Sequence, residues 1–345
     1  MKKIVKQVAG IDVAQDELVV RLGRMYDDWS PELYASKTFA NTAKGLESFV
    51  TWVKKLTNAE TVVRYVMEAT GGYHESLAYY LDENNCEVSI VLPNKISNYV
   101  RTLETKTITD KTSAEAITLF GLEKKIDKWS RPKGIFKKLR QLTREREQLV
   151  AERTMLKNQM HAESSEAEPS KKSMARMKKR IVLLDTQEKE IMLEVKQLIQ
   201  SDNEMKQLVA LICTLPGVGV LTAAIVLAET NGFDLIRNKR QLTSYAGLDV
   251  IEKQSGTSVK GKPRISKKGN RYLRKALHLP SLSAIRHDER FKAVFSRLVS
   301  KHGIKMKAAV AVQRKLLEMI FTICKTGKPY DKNHLKKLES SIATP

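Results

Sequence analysis

The sequence is poor in cysteine, and its three cysteines lie far apart, at positions 86, 213 and 324. Residues with this spacing form neither a disulfide framework nor a zinc ligand set. The six histidines are also scattered, with no pair at the spacing of metal ligands. These absences suit a chain that works in a reducing compartment, and we expect a cytoplasmic location.

Long apolar runs are missing as well. No stretch reaches the ~18 apolar residues that a membrane-spanning helix needs. Residues 1–7 include three lysines, but no apolar segment of the kind found in a signal peptide follows them. The sequence therefore predicts no membrane partner.

Acidic residues are few relative to basic ones. Asp and Glu number 39 against 61 Lys and Arg, which gives a formal net charge of +22 in 345 residues. Such an excess indicates a polyanionic partner, and we favour DNA or RNA over a membrane surface. A basic protein without such a partner stays an alternative. The length suggests two or three domains, and 42% hydrophobic residues are enough for a sizeable core.

Residues 1–130 alternate between strand and helix patterns. Apolar runs at 6–13 and 17–22, joined by a polar turn, predict a hairpin. Residues 43–56 have helical periodicity, and 61–67 resemble a buried strand. A helix containing Leu77, Tyr80 and Leu81 and a strand over 87–92 follow. This order predicts an α/β domain with a mixed sheet over 1–130.

The rest of the chain changes character. Residues 136–200 are rich in Glu, Lys, Arg and Leu and break at a polar turn, which predicts an antiparallel coiled-coil hairpin over 131–203. It could serve oligomerisation or only bridge domains. Residues 204–326 are basic and mainly helical, and 327–345 form a polar, flexible tail. The Gly-Val-Gly turn at 217–219 resembles a helix-hairpin-helix contact with DNA or an ordinary helix–helix turn.

Three carboxylates stand where an ionised group is costly or structurally prominent. Asp12 lies between Ile11 and Val13 in a short apolar strand, Glu68 ends another apolar run, and Asp110 opens a helical run. Burial of a charge needs compensation, which Mg²⁺ or Mn²⁺ provides through oxygen ligands. The alternative is local: each acid accepts a hydrogen bond, and Asp110 is the N-cap of its helix.

Residues 253–275 form a basic segment punctuated by glycines, which suits contact with a DNA backbone. Ser255 begins the segment and is a candidate nucleophile, although the sequence by itself does not choose it over Ser258 or Ser266. All three serines could instead be phosphate hydrogen-bond donors. The predicted nucleic-acid contacts are Lys260, Lys262, Arg264, Lys267, Lys268, Arg271 and Arg274.

The motifs at 10–13, 67–71, 109–114 and 215–219, together with the block from Ser255 to Arg274, resemble the IS110 family of insertion-sequence transposases and their relatives, the pilin-gene invertases. The likeness covers about residues 4–325. It implies a RuvC-like (ribonuclease-H-type) N-terminal domain with an Asp-Glu-Asp-Asp metal site. It also implies a coiled-coil insertion and a C-terminal domain with a nucleophilic serine.

By this resemblance Asp12, Glu68 and Asp110 correspond to the first three acids, which would ligate Mg²⁺ or Mn²⁺. Ser255 corresponds to the serine that forms a covalent link to DNA. The resemblance further implies a noncoding bridge RNA that selects target and donor DNA, and dimers that pair into tetramers. We accordingly expect a bacterial, cytoplasmic and nucleoid-associated recombinase.

One position departs from the family pattern. Ser113 stands where the fourth acid is expected, on the same helix face as Asp110, whereas Glu115 is rotated away by about 200°. A hydroxyl can hold a water molecule on the ion but brings no charge. We expect an active enzyme. The alternatives are a Holliday-junction-resolvase-type metal nuclease that uses water, and a nucleic-acid-binding protein that has lost catalysis.

Overall fold

The computed structural model describes residues 2–69, 72–103, 107, 109–234, 236–252, 254–255, 259–261 and 263–333. The chain forms two compact units, Met1–Arg131 and Pro132–Pro345. The finer division, with boundaries after residues 130, 203 and 326, stays a prediction.

The first unit is an α/β structure with a five-stranded mixed sheet, as the sequence predicts. The sheet order is β3-β2-β1-β4-β5, in which β1 to β3 are antiparallel neighbours and β4 and β5 run parallel to β1. Its strands and helices are β1 Ile4–Val13, β2 Glu17–Tyr26, β3 Pro31–Ala40, α1 Ala43–Leu56, β4 Val63–Glu68, α2 His74–Glu83, β5 Glu87–Val91, α3 Pro93–Val100 and α4 Asp110–Glu123.

Each face of this sheet is covered by different helices. Alternate residues of β1 that include Ile11 pack with α1 and α2, while Val8 packs with α4 on the opposite face. Gly10 lies on the α4 face, and a Cβ there would come within 2.2 Å of the Thr118 Oγ1. The absence of a side chain at Gly10 therefore lets α4 approach the centre of the sheet.

Two elements of the first unit escape sequence analysis. Strand β3 is an edge strand that begins with Pro31 and is mostly exposed or half-buried, so it has little apolar alternation. Helix α3 begins at Pro93, in the first turn, where proline is favourable. The sequence predicts only that a strand ends before this proline, and it does not predict the helix that follows.

The second unit begins with two long helices, α5 Gly134–Ser164 and α6 Lys171–Gln200, of 31 and 30 residues. Arg153 of α5 pairs with Asp185 of α6 at 2.5 Å and also with Glu188. Apolar contacts at the turn end join Leu156 to Ile181 and its neighbours. The predicted pair of long antiparallel helices is present, and its description as a coiled coil stays a prediction.

The remainder of the second unit is mainly helical. It comprises α7 Asn203–Ile212, α8 Val220–Thr230, α9 Lys239–Tyr245, β6 Val250–Ile251, β7 Gln254–Ser255, β8 Val259–Lys260, β9 Arg264–Ile265, α10 Arg271–Ala276, α11 His278–His287, α12 Glu289–His302 and α13 Lys305–Thr326. Its core includes Phe136 and Leu139 of α5 and Val195 of α6, so the base of the helix pair folds into this core. None of the helices in the described ranges combines the length and the apolar character of a membrane span.

Candidate active site and nucleic-acid interface

Two of the predicted acids lie side by side on neighbouring strands. Asp12 is near the end of β1, and Glu68 is the last residue of β4. The parallel register pairs Ile11 with Met67, which places Asp12 next to Glu68. Because side chains alternate along a strand, both acids share the sheet face that α4 covers. Strand pairing thus brings together two acids that are 56 positions apart.

The third acid, Asp110, is the first residue of α4 and is exposed. The cap of this helix is Thr109, whose hydroxyl accepts a hydrogen bond from the Thr112 amide at 3.3 Å. In return the Thr112 hydroxyl accepts from the Thr109 amide at 2.8 Å. The interpretation of Asp110 as the N-cap is therefore wrong, because Thr109 is the N-cap residue.

The three carboxylates influence one another electrostatically. Burial raises the pKa of Asp12, the charge of Asp110 raises it further, and a hydrogen bond from the Val13 backbone opposes both. Burial also raises the pKa of Glu68, with a further contribution from the charge of Asp12. Asp12 is thus the central member of the trio, coupled to an acid on each side.

This trio has the donor chemistry of a divalent-metal site. Carboxylate oxygens are the ligands that Mg²⁺ and Mn²⁺ prefer, and a cation would offset the burial and the mutual repulsion that raise the pKa values of Asp12 and Glu68. Within the described residues, no three His, Cys, Asp or Glu side chains converge closely enough to form a complete ligand cluster. The residues fit a divalent cation by charge and by ligand type.

Ser113 and Glu115 follow Asp110 on α4. Ser113 is half-buried, at the position where the family pattern has its fourth acid. Glu115 forms an ion pair at 3.7 Å with Arg21 of β2. Arg21 is opposite Gly10 in the sheet and so lies on the same face as Asp12. Glu115 is therefore engaged by a cation of the sheet beside the acidic trio.

The candidate nucleophile Ser255 lies in β7, where its backbone pairs with Val259 of β8. The side chains of Ser255 and Lys260, and the whole of Ser258 and Lys262, lie outside the described residues. Ser266 is described, and its hydroxyl donates to the Asp249 carboxylate at 2.5 Å. A local structural role thus occupies the hydroxyl of Ser266, one of the three serines left open by the sequence.

Tight backbone packing holds the described C-terminal part of the basic segment, residues 263–275, in place. A Cβ on Gly269 would lie 2.5 Å from both the Gly247 nitrogen and the Tyr245 carbonyl oxygen. Lys267 adopts a left-handed φ of 54°, and its amide donates to the Gly247 carbonyl at 3.1 Å. Arg274 donates to the Ala246 carbonyl at 2.8 Å. Arg274, one of the predicted phosphate contacts, therefore uses part of its hydrogen-bonding capacity within the fold.

The other predicted contacts with described side chains remain on the surface. They are exposed and follow one another along the short segment that leads into α10; these residues are Arg264, Lys267, Lys268 and Arg271. Exposed Lys and Arg side chains on a firmly packed backbone suit sequence-independent contact with phosphates.

A buried carboxylate below the segment was missed by sequence analysis. Glu229, at 2% exposure, accepts two hydrogen bonds from Arg144, at 2.8 and 2.9 Å. It also accepts one from the Asn270 side-chain amide at 2.6 Å. Asn270 in turn caps α10, accepting from the Tyr272 amide at 2.9 Å. Glu229 thereby anchors the start of the helix that carries Arg271.

A signal for this site exists in the sequence. Glu229 is the lone acid of the apolar run Val220–Thr230, and the same reasoning that singles out Asp12 applies to it. Its partners could not be read from the sequence, because Arg144 and Asn270 are 85 and 41 residues away.

Comparison with known sequences defines the class of protein. A family described as a transposase of the DEDD IS110 type matches residues 9–163, and one described as the transposase IS116/IS110/IS902 family matches residues 209–296. These matches fall in both compact units and define a DNA recombinase of the transposase class. The chain belongs to the IS110 family of transposases.

Individual relatives agree with this assignment. The chain is 28% identical over 300 residues to the pilin gene-inverting protein of Moraxella bovis, covering 86% of this chain and 90% of the relative. It is also 28% identical over 128 residues to an uncharacterized 43.6 kDa protein of insertion element IS110 from Streptomyces coelicolor, covering 37% of this chain and 31% of that protein.

Solved structures give only weak likenesses. Thermus thermophilus RuvC aligns with a TM-score of 0.27 and 12% identity, covering 36% of this chain and 99% of that one. A Ppx/GppA family protein of Aquifex aeolicus aligns with a TM-score of 0.22 and 10% identity, covering 94% of this chain and 92% of that one. Scores this low do not identify the fold.

Proposed function

We propose that this transposase cuts and rejoins DNA through a covalent serine–DNA intermediate, with Asp12, Glu68 and Asp110 holding Mg²⁺ or Mn²⁺. The observation that carries the proposal is the placement of Asp12 beside Glu68 on parallel strands, with the charge of Asp110 acting on Asp12. Like-charged carboxylates that are half-buried, as Asp12 and Glu68 are, repel each other without a cation and can ligate one that is present.

Each group has a separate task in this proposal. When bound, the divalent cation supplies charge stabilisation at the scissile phosphate. Ser255 supplies the attacking oxygen: its hydroxyl loses a proton as the Oγ–phosphorus bond forms, the phosphorus–oxygen bond to one deoxyribose breaks, and the freed sugar oxygen takes up a proton. Attack by a different DNA hydroxyl on the serine phosphodiester reverses these bond changes and rejoins the strand.

The basic segment positions the DNA backbone for this reaction. Lys267, Lys268 and Arg271 are exposed, and together they would neutralise about three phosphates. Gly269 and the buried Glu229 fix the backbone that presents them. Lys260 and Lys262 are further phosphate contacts suggested by the sequence, and they belong to the same proposal.

The choice of DNA sites and the assembly are part of the same proposal. A noncoding bridge RNA selects target and donor DNA, and dimers pair into tetramers so that the acidic site of one subunit works with the serine of another. The coiled-coil description of α5 and α6 and a cytoplasmic, nucleoid-associated location belong to this proposal too. Sequencing the RNA that copurifies with the protein and measuring the mass of the complex test the first two points.

The central test is formation of a denaturant-resistant protein–DNA adduct. Purified protein with its copurifying RNA and Mg²⁺ is mixed with DNA that carries the junction of its own element. We expect an adduct with the wild type and with the matched control Ser258→Ala, and none with Ser255→Ala or Asp12→Asn.

Other outcomes point elsewhere. Free nicked DNA without an adduct would favour a metal nuclease that uses water. Neither adduct nor nicks, in an assay where another family member works, would favour a nucleic-acid-binding protein without catalysis. An adduct that persists in Ser255→Ala would refute the assignment of the serine.

A further inference from the structure

A cavity of about 920 Å³ lies within the second unit, among residues of α5, α8, α10, α11 and α13. This volume is in the range of pockets that enclose a small molecule or a cofactor. Aliphatic side chains form much of its wall, including those of Leu221, Ile225, Pro280 and Val310. The cavity therefore offers an apolar space of a size that suits a ring system.

The cavity is also strongly cationic. Six basic residues and two acidic ones line it, and these are Arg144, Arg146, Lys267, Arg271, Arg274 and Lys275 against Glu147 and Glu229. Arg144, Arg146 and Lys275 are paired with carboxylates, and Arg274 donates to backbone carbonyls. In the described part of the structure Lys267 and Arg271 form no ion pair, and both are exposed.

Lys267 is held at the cavity by a strained backbone. Its φ of 54° lies in the left-handed region, which residues with a Cβ seldom adopt. The contact of its amide with Gly247 maintains this conformation. Strain of this kind persists where surrounding structure enforces it and is common at functional sites. Lys267 thus presents an exposed cationic side chain at the wall from a fixed backbone position.

A polar pair lies on the same lining. Gln313 is 4% exposed, and its Nε2 is 3.0 Å from the Nδ1 of His278. One of the two groups donates the hydrogen of this bond and the other accepts it, and the tautomer of the ring sets the direction. In either direction the amide and the ring each keep one further polar group, of which one is a donor and the other an acceptor. An acceptor and a donor side by side match the hydrogen-bonding edge of a nucleobase.

From these features together, we infer that the cavity binds one unstacked nucleotide of the DNA strand undergoing exchange. The base packs on the aliphatic wall with its edge toward His278 and Gln313, and the phosphate lies against Lys267 and Arg271. Enzymes that do chemistry on a DNA base hold an extruded nucleotide in a pocket of this kind, by hydrogen bonds to its edge and apolar contacts to its face. The inference rests on the proposed function, since it takes DNA to be the substrate.

The test compares two DNA duplexes that differ by one unpaired 2-aminopurine. Full-length protein with its copurifying RNA is titrated with each, by fluorescence anisotropy and by 2-aminopurine emission. We expect the wild type to bind the duplex with the unpaired base about tenfold more tightly, the order of one base contact, with a change in emission. Thr222→Trp, which adds bulk to the lining, should bind both duplexes alike.

A second variant guards against misfolding of the first. Met306 lines the cavity and is 59% exposed, so Met306→Trp narrows the pocket at a tolerant position. Ile304, at 56% exposure and outside the lining, gives the matched control Ile304→Trp. We expect Met306→Trp to lose the tenfold preference and Ile304→Trp to keep it, with equal melting temperatures.

Two outcomes would overturn the inference: no preference in the wild type, or a preference that Met306→Trp retains. Because this binding assay needs no strand cleavage, its result is separate from that of the adduct assay. An adduct without a preference for the unpaired base would contradict nucleotide binding in the cavity but not the serine mechanism. A preference without an adduct would contradict the serine mechanism but not nucleotide binding in the cavity.

Discussion

Removal of the Arg144 guanidinium is expected to destabilise the second unit strongly. The Glu229 side chain is 1% exposed, and Arg144→Ala would leave its charge buried with only the Asn270 amide as a side-chain partner. Breaking a buried pair from one side costs about 3–5 kcal/mol. Arg144 is 43% exposed and partly screened by solvent, so we take the lower end, about 3 kcal/mol. For a unit of this size that is a fall in Tm of about 6–12 °C.

Thermal unfolding followed by circular dichroism measures this effect, and the chain offers a close control. Arg314 is 44% exposed and pairs with Glu318, which at 18% is far less buried than Glu229. Arg314→Ala should therefore cost no more than about 1 kcal/mol. The double variant Arg144→Met with Glu229→Leu should recover most of the loss, because it removes the stranded charge. Equal losses for Arg144→Ala and Arg314→Ala would refute the reasoning.

Three other expectations concern the acids and the basic segment. The pKa values of Asp12 and Glu68 are raised in the folded state, so the folded chain binds protons more readily than the unfolded one. The free energy of unfolding should therefore fall as the pH rises from about 4 through those raised pKa values. Denaturant titrations at a series of pH values should show a smaller fall for Asp12→Asn than for the wild type. Ser113→Asp should lower the Mg²⁺ concentration for half-maximal adduct formation several-fold, since it adds a charged ligand; an unchanged Mg²⁺ titration would mean that position 113 is not at the ion. Gly269→Ala should weaken DNA binding by about tenfold or more because its Cβ would meet the backbone at 2.5 Å, while Gly134→Ala, which meets nothing within 4 Å, should bind as the wild type.

Local patterns in the sequence predict much of the fold. The helix predicted over 43–56 has those bounds in the structure, and the hairpin of β1 and β2 turns at residues 14–16 as expected. Amphipathic periodicity and strand alternation are local signals, so they predict helices and strands even when the elements that pack against them are unknown. Strand β3 was missed because an exposed edge strand has little of that alternation.

The candidate site was less accessible to sequence reasoning. The cost of burying a charge singles out Asp12 and Glu68, but only the register of β1 and β4 places them side by side. The local alternative for Asp110 failed because Thr109, one residue earlier, forms the cap with Thr112. The hydrogen-bond partners of Glu229 are distant in the chain, so no local sequence pattern predicts them.

The division of the chain bears on how relatives could exchange parts. The first compact unit ends at Arg131, whereas the family match that covers it continues to residue 163, through nearly all of α5. A chimera joined at residue 163 would combine an α5 from one parent with the α6 and helical core of another. Phe136 and Leu139 would then have to fit a foreign core. A crossover near Arg131 keeps those contacts within one parent. The junction at which chimeras of these transposases should fold therefore lies about thirty residues before the boundary that sequence similarity suggests.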